Sequence, residues 1–112
     1  MKIEGDGSLL RIFIGESERY EGKPLFKAIV AKARELGLAG ATVWQGIAGF
    51  GAHSRIHTAM ILRLSEDLPI IVEIVDSEEK IRMLMPHINA MMEAAGCGGL
   101  VTLEKTEIIT YR

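Results

Sequence analysis

Apolar and polar residues alternate along several stretches of the chain and recur at helical spacing along two others. In Leu9-Leu10-Arg11-Ile12-Phe13-Ile14, a strand would carry Leu10, Ile12 and Ile14 on one side and Leu9, Arg11 and Phe13 on the other. Both sides are largely apolar, so this strand belongs in the middle of a sheet. Ala41 to Gln45 alternates too, as does Arg55 to Leu64, where Ile56, Thr58, Met60, Leu62 and Leu64 oppose His57, Ala59, Ile61 and Arg63. Ile70 to Val75 is nearly continuous, with Glu73 its one polar residue, and reads as a second central strand. Leu100 to Leu103 and Thr106 to Tyr111 read as a closing strand, bent or divided at Glu104-Lys105. Met1 to Gly7, polar and glycine-containing, reads as a loose arm.

Between these stretches the period changes. Gly22-Lys23-Pro24 opens a helix whose first turn suits Pro24, and Leu25, Ile29, Ala33 and Leu36 form its apolar stripe up to a stop at Gly37. Asp76, with Glu79 three residues on, has the spacing of a capping box. Ile81, Leu84, Met85, Ile88, Met92 and Ala95 then continue one face of a second helix, with Met91 turned toward a neighbouring molecule. Pro86 removes a backbone donor and is expected to bend this helix, which Gly96-Cys97-Gly98-Gly99 ends. The predicted order is strand, helix, strand, strand, helix, strand. That is the α+β, ferredoxin-like βαββαβ plan: an antiparallel sheet with two helices on one face, built from residues 1–112 as one domain.

The plan leaves a sheet face uncovered. Leu9, Phe13, Ile71 and Val75 point into it, and their exposure implies self-association. Arg11 and Glu73 share that face and are the only charges in their strands. They are expected to pair, within or between subunits, because an unpaired charge in such a place costs several kcal/mol.

Composition narrows the function classes. A net charge of -2 with interspersed Lys and Arg gives no basic stripe, which excludes nucleic acid as the expected partner. One cysteine, Cys97, allows no intrachain disulfide and suits a reducing compartment. The apolar run from Leu9 to Ile14 is too short and too interrupted for a signal peptide, and no run reaches the roughly 20 residues of a membrane helix. The expected location is cytoplasmic.

Candidate chemistry gathers between Gly37 and His57. Gly46, Gly49 and Gly51 lie close together around Phe50 and imply close approach by a ligand or by another backbone. His53, Arg55 and His57 follow directly. The histidines are four apart, but on a strand that separation spans roughly 13 Å, too far for one ion, so no metal site is assigned within one chain. Trp44 and Phe50 suit either base stacking or a packed interface. Gly96-Cys97-Gly98-Gly99 has two readings: a nest of backbone N–H groups for phosphate, or a helix C-cap leading into a strand. Cys97 has no base partner near it in sequence. With no acid-base-nucleophile set, no catalytic residue is named and the protein is expected not to be an enzyme.

Gly40-Ala41-Thr42-Val43, Gly49-Phe50-Gly51, and Leu68-Pro69 with Glu73-Ile74-Val75 together resemble the PII signalling superfamily. The closer resemblance is to its PII-like group of small uncharacterised prokaryotic proteins, domain-of-unknown-function family 190. That pattern is carried by Gly22-Lys23-Pro24-Leu25, Gly46-Ile47 with Gly49-Phe50-Gly51, Ser54-Arg55-Ile56-His57, Leu64-Ser65 with Asp67-Leu68-Pro69, and Glu73-Ile74-Val75-Asp76. The resemblance implies a homotrimer with its sheets packed inward and a nucleotide in the cleft between subunits. Carried over by position, it points to Thr42, Gly51, Gly98, Gly99 and Arg112. The chain departs from PII proteins in five places, one of them the absence of a lysine after Leu68-Pro69. Gly99 and Leu100 stand where PII proteins have a lysine after the Gly-x-Gly turn, Thr110 replaces one of two C-terminal arginines, and His53 replaces a glutamine. No tyrosine lies between Gly51 and Pro69. These departures point away from a metal-dependent triphosphate and 2-oxoglutarate response and leave open a less charged adenine nucleotide, AMP or ADP.

The expected ligand-binding set is Thr42, Gly49, Phe50, Gly51, His53, Arg55, His57, Gly98, Gly99 and Arg112. The expected function is that of a PII-like regulator. A small anionic ligand in the intersubunit cleft changes the shape of the loop from Ala52 to Asp67, which meets a partner such as a membrane transporter or an enzyme. The alternative is a structural or divalent-metal-handling trimer, similar to the divalent-cation-tolerance proteins of the same fold.

Overall fold

The computed structural model describes residues 2–50 and 67–111. In chain order they form β1 (Lys2–Gly15), β2 (Arg19–Tyr20), β3 (Lys23–Pro24), α1 (Leu25–Glu35), β4 (Thr42–Gln45), β5 (Pro69–Asp76), α2 (Glu78–Ala95) and β6 (Leu100–Tyr111). The main sheet runs β4-β5-β1-β6 with every neighbouring pair antiparallel, which puts the two near-continuous apolar strands, β1 and β5, at its centre. This is the ferredoxin-like arrangement. The strand expected over Arg55 to Leu64 lies outside the described residues.

The core follows the alternation. Leu10, Ile12 and Ile14 of β1 and Ile70, Val72 and Ile74 of β5 are buried against Leu25, Ile29 and Ala33 of α1 and Ile81, Leu84, Ile88 and Met91 of α2. Each full burial of such a side chain contributes roughly 1.5–3 kcal/mol. Met91 therefore belongs to the core and does not face a neighbour. The buried stripe of α2 steps 81, 84, 88, 91, and this rotation leaves Met85, Met92 and Ala95 at the core margin. Pro86 lies within α2, which runs through it as one helix.

Both helices end in the same device. Gly37 and Gly96 take φ values of 81° and 63°, a left-handed turn that glycine enters without a Cβ clash. The N–H groups of Gly37 and Leu38 then donate to the carbonyls of Arg34 and Ala33, at 3.1 and 3.0 Å, and those of Gly96 and Cys97 to Glu93 and Met92 at the same distances. At the other end of α2 the cap is Ser77, whose Oγ accepts from the Lys80 N–H at 3.2 Å, and not Asp76 as the spacing predicted. Asp76 is still in β5, opposite Ser8, and its carboxylate accepts from the N–H of Ser77 at 2.7 Å and of Ala39 at 2.9 Å.

Two further expectations are corrected. Residues 2–7 are not a loose arm, because β1 and β6 pair without a break from Lys2 opposite Tyr111 to Phe13 opposite Leu100. The same unbroken register carries β6 straight through Glu104-Lys105, where a division was expected. Beyond Ser8, β5 no longer flanks β1, so the far halves of β1 and β6 continue as a two-stranded ribbon. Gly7 makes room there for the Ile108 side chain, which would collide with any Cβ at that position. A small hairpin absent from the periodicity, β2–β3, sits between β1 and α1, turning at Glu21 and Gly22 with φ of 50° and 78°.

The sheet face opposite the helices is organised in rows across the strands. Trp44, Ile71, Phe13 and Leu100 form one row, Thr42, Glu73, Arg11 and Thr102 the next, and Val75, Leu9 and Glu104 the third. Among the described residues, no helix is long and apolar enough to cross a membrane.

Candidate functional site

The register brings the two glycine segments to one end of the sheet. Gln45 pairs with Ile70, Ile70 with Ile14, and Gly99 falls opposite Ile14, one residue before the Leu100–Phe13 pair. The segment leaving β4 and the turn entering β6 are thus three strand spacings apart, roughly 14 Å. Large apolar side chains are exposed around this end: Trp44 at 56%, Ile47 at 91%, Phe50 at 71% and Leu100 at 60%.

The glycines of the first segment answer to a neighbour within the chain. Gly46 donates its N–H to the Pro69 carbonyl at 2.7 Å, and a Cβ on Gly46 or Gly49 would lie 3.2 or 2.9 Å from the Pro69 ring. Close approach was expected from a ligand or another backbone, and here the ring of Pro69 requires it. The segment is held down on β5 while Ile47 and Phe50 project outward. Beside it, Gln45 Nε2 donates to Glu16 Oε2 at 2.6 Å, and the N–H and hydroxyl of Ser17 donate to Asp67 Oδ1 at 3.2 and 2.8 Å. Glu16 Oε1 is buried with no hydrogen-bond partner among the described residues.

The turn Gly96 to Gly99 is the helix cap and strand lead-in that one of its two readings predicted. A Cβ on Gly99 would lie 2.5 Å from the Phe13 carbonyl oxygen and 2.9 Å from both Ile14 Cγ2 and Met92 Cε, so packing against β1 is sufficient reason for glycine there. Inside the turn, desolvation pushes the Cys97 thiol up to about 12, helped by the thiol's hydrogen bond to Glu18. A thiol so rarely ionised is a poor nucleophile.

Thr42 sits at the far end of β4, opposite Glu73, so it lies on the open sheet face and not at the glycine end. On that face Arg11 Nε lies 2.8 Å from Glu73 Oε2 and Arg11 Nη1 lies 2.5 Å from Glu104 Oε1, which is the pairing the sequence predicted plus a second carboxylate. Glu73 Oε1 accepts a further hydrogen bond from the indole Nε1 of Trp44. The network crosses all four strands. The Arg11 and Trp44 bonds, in that order, hold the Glu73 carboxyl below its ordinary range. The Trp44 bond was not foreseen, and no local spacing announces it, because the two residues are brought together only by the β4–β5 register.

Gly49, Phe50, Gly98, Gly99 and Thr42 of the expected set are described. Gly51, His53, Arg55, His57 and Arg112 lie outside the described residues. A depression of about 370 Å³ beneath the β1–β6 ribbon is a different place, lined by Asp6, Gly7, Glu78, Lys105, Thr106 and Glu107. Three carboxylates against one ammonium make it a poor seat for an anion.

The sequence profile of DUF190, described as "Uncharacterized ACR", matches residues 7–108. The chain belongs to the DUF190 family. A relative called "UPF0166 protein" from Aquifex aeolicus is 44% identical over 101 residues, covering 90% of this chain and 91% of its own. A second UPF0166 protein, from Methanocaldococcus jannaschii, is 35% identical over 88 residues, covering 79% and 81%. Among solved structures, this DUF190 chain resembles CPII from Thiomonas intermedia K12, a nitrogen regulatory PII-like protein. The apo form aligns at a TM-score of 0.65 and 14% identity, over 99% of this chain and all of that one. The form bound to ADP, AMP and bicarbonate aligns at 0.68 and 15% identity, over 95% and 91%. A PII-like signalling protein from Thermus thermophilus aligns at 0.62 and 16% identity, over 94% and 91%. At these identities the likeness establishes the fold: a PII-like, ferredoxin-like domain.

Proposed function

We propose that this DUF190 chain is a PII-like regulatory protein that assembles as a homotrimer through its open sheet face. In this reading a small anionic ligand, an adenine nucleotide with few phosphates, binds between subunits. The observation that carries the reading is the common placement of the Gly46 to Phe50 segment and the Gly96 to Gly99 turn at one end of the sheet, on opposite edges, amid exposed apolar side chains. Contacts in a cyclic trimer are heterologous, so one subunit meets its neighbour with a different surface and a cleft between them draws on both edges. Support for the ligand class comes from CPII, which has the same fold and is bound to ADP and AMP.

Within this reading the N–H groups of the Gly98-Gly99 turn and the side chain of Arg112 meet the phosphates, with His53, Arg55 and His57 adding positive charge. Gly49-Phe50-Gly51 closes over the ligand, and the loop from Ala52 to Asp67 carries the signal to a transporter or an enzyme. Without a lysine after the turn, AMP and ADP are favoured over ATP. Calorimetry with AMP, ADP and ATP tests this: saturable heat is expected for the first two, and Arg112→Ala should weaken binding by about 1.5–3 kcal/mol if it removes one charge-assisted contact. No heat and no thermal shift with any adenine nucleotide at millimolar concentration would reject the reading. Retention of a divalent metal after chelation would then favour the metal-handling trimer.

A further inference from the structure

We infer that Trp44 is the platform on which the base of the nucleotide stacks, an inference that rests on the nucleotide-binding reading above. Trp44 is the chain's only tryptophan, and more than half of its surface is exposed although it stands in a regular strand. An exposed indole is ordinarily mobile, but this one is tied down. Its N–H donates to Glu73 Oε1, and the other oxygen of that carboxylate is held at 2.8 Å by Arg11 Nε. The ring is thereby fixed from the centre of the sheet, and in the single chain more than half of its surface is exposed at the β4 edge of the open face, where the proposed trimer would set its cleft.

A ring held in place without being covered loses little freedom when a ligand lies against it, which is the property of a preorganised site. The surroundings are mixed, with apolar side chains along the Trp44 row and polar groups beside it. Thr42 stands on the same face two residues away, a carboxylate already adjoins the indole N–H, and β4 is one of the two edge strands of the described sheet. A nucleobase presents a flat π surface together with ring nitrogens and an amino group that such a rim can satisfy. Trp44 stands on the β4 edge and the Gly96 to Gly99 turn enters the opposite edge, so in the proposed intersubunit cleft one extended molecule would lay its base on Trp44 of one subunit and its phosphates at the turn of the neighbour.

The experiment uses the intact protein and the fluorescence of its single tryptophan. ADP is expected to quench Trp44 emission saturably, while pyrophosphate, which has no base, leaves it unchanged at any occupancy. Trp44→Leu should weaken ADP binding in calorimetry about tenfold or more, the scale of a lost base-aromatic stack, and Trp44→Phe should recover part of it. Melting curves and light scattering check whether each variant is folded and assembled as the wild type is. If ADP binds the wild type but Trp44→Leu binds it within about twofold, or Trp44 emission does not respond, the inference fails while the nucleotide reading stands. A Trp44→Leu variant that loses assembly while keeping its ADP affinity assigns the ring to a subunit contact and also overturns it. If no adenine nucleotide binds the wild type, both fail.

Discussion

Arg11 and Glu73, directly opposite each other on the two central strands, form an ion pair at 2.8 Å on the sheet face the helices leave open. They sit between a row of apolar side chains, Trp44, Ile71, Phe13 and Leu100, and a second row holding Leu9 and Val75. A charge in that position needs a partner wherever the face becomes covered, and the register supplies one from within the same chain.

The pair makes stability depend on pH in a definite direction. The hydrogen bonds from Arg11 and Trp44 lower the Glu73 carboxyl below its ordinary value of 4.5, so its contribution is complete above that pH and is lost as pH falls through the depressed folded value. Glu73→Gln is therefore expected to melt below the wild type at neutral pH, with the gap closing as the pH is taken below 4.5 and through the depressed folded value. Thermal melts across that range decide the matter. A gap that stays constant would mean that Glu73 acts through packing and not through its charge.

Phe13 tests assembly. It lies mid-row on the open face, between Ile71 and Leu100, and Phe13→Asp would bury an unpartnered carboxylate in any interface formed there. Light scattering at micromolar concentration should find the wild type as a trimer and the variant dissociated or weakened. A monomeric wild type would remove the homotrimer from the proposed function.

Gly99 tests the turn. A Cβ there would meet the Phe13 carbonyl at 2.5 Å, and the atom in the way belongs to the backbone of a central strand, not to the end of a flexible side chain. Gly99→Ala should cost about 1–3 kcal/mol, measured by denaturant unfolding in the absence of nucleotide. Unchanged stability would show that the glycine is kept for something other than packing, and would raise the weight of its part in ligand binding.

Much of this was legible in the sequence. The period of two in Leu9 to Ile14 and Ile70 to Val75 named the buried face and the open face alike, because a strand cannot turn alternate residues to the same side. Gly37 and Gly96 marked both helix stops, since the left-handed turn beyond a helix is one that most other residues resist. The lone charges Arg11 and Glu73 were matched by elimination, on a shared face of neighbouring strands.

What the sequence left open depended on groups far apart in the chain. Whether residues 2–7 were arm or strand was settled by β6, whose backbone supplies their hydrogen bonds from about a hundred residues away. The Asp76 carboxylate was drawn from the helix cap into bonds with Ser77 and Ala39, and the glycines at 46 and 49 found their reason in Pro69. The bond from Trp44 to Glu73 joins an edge strand to a central one, at a distance set by the β4–β5 register. Local pattern fixes which side of an element is apolar. Only the pairing of strands decides which polar groups meet, because hydrogen bonds and ion pairs act over a few ångströms and are indifferent to separation along the chain.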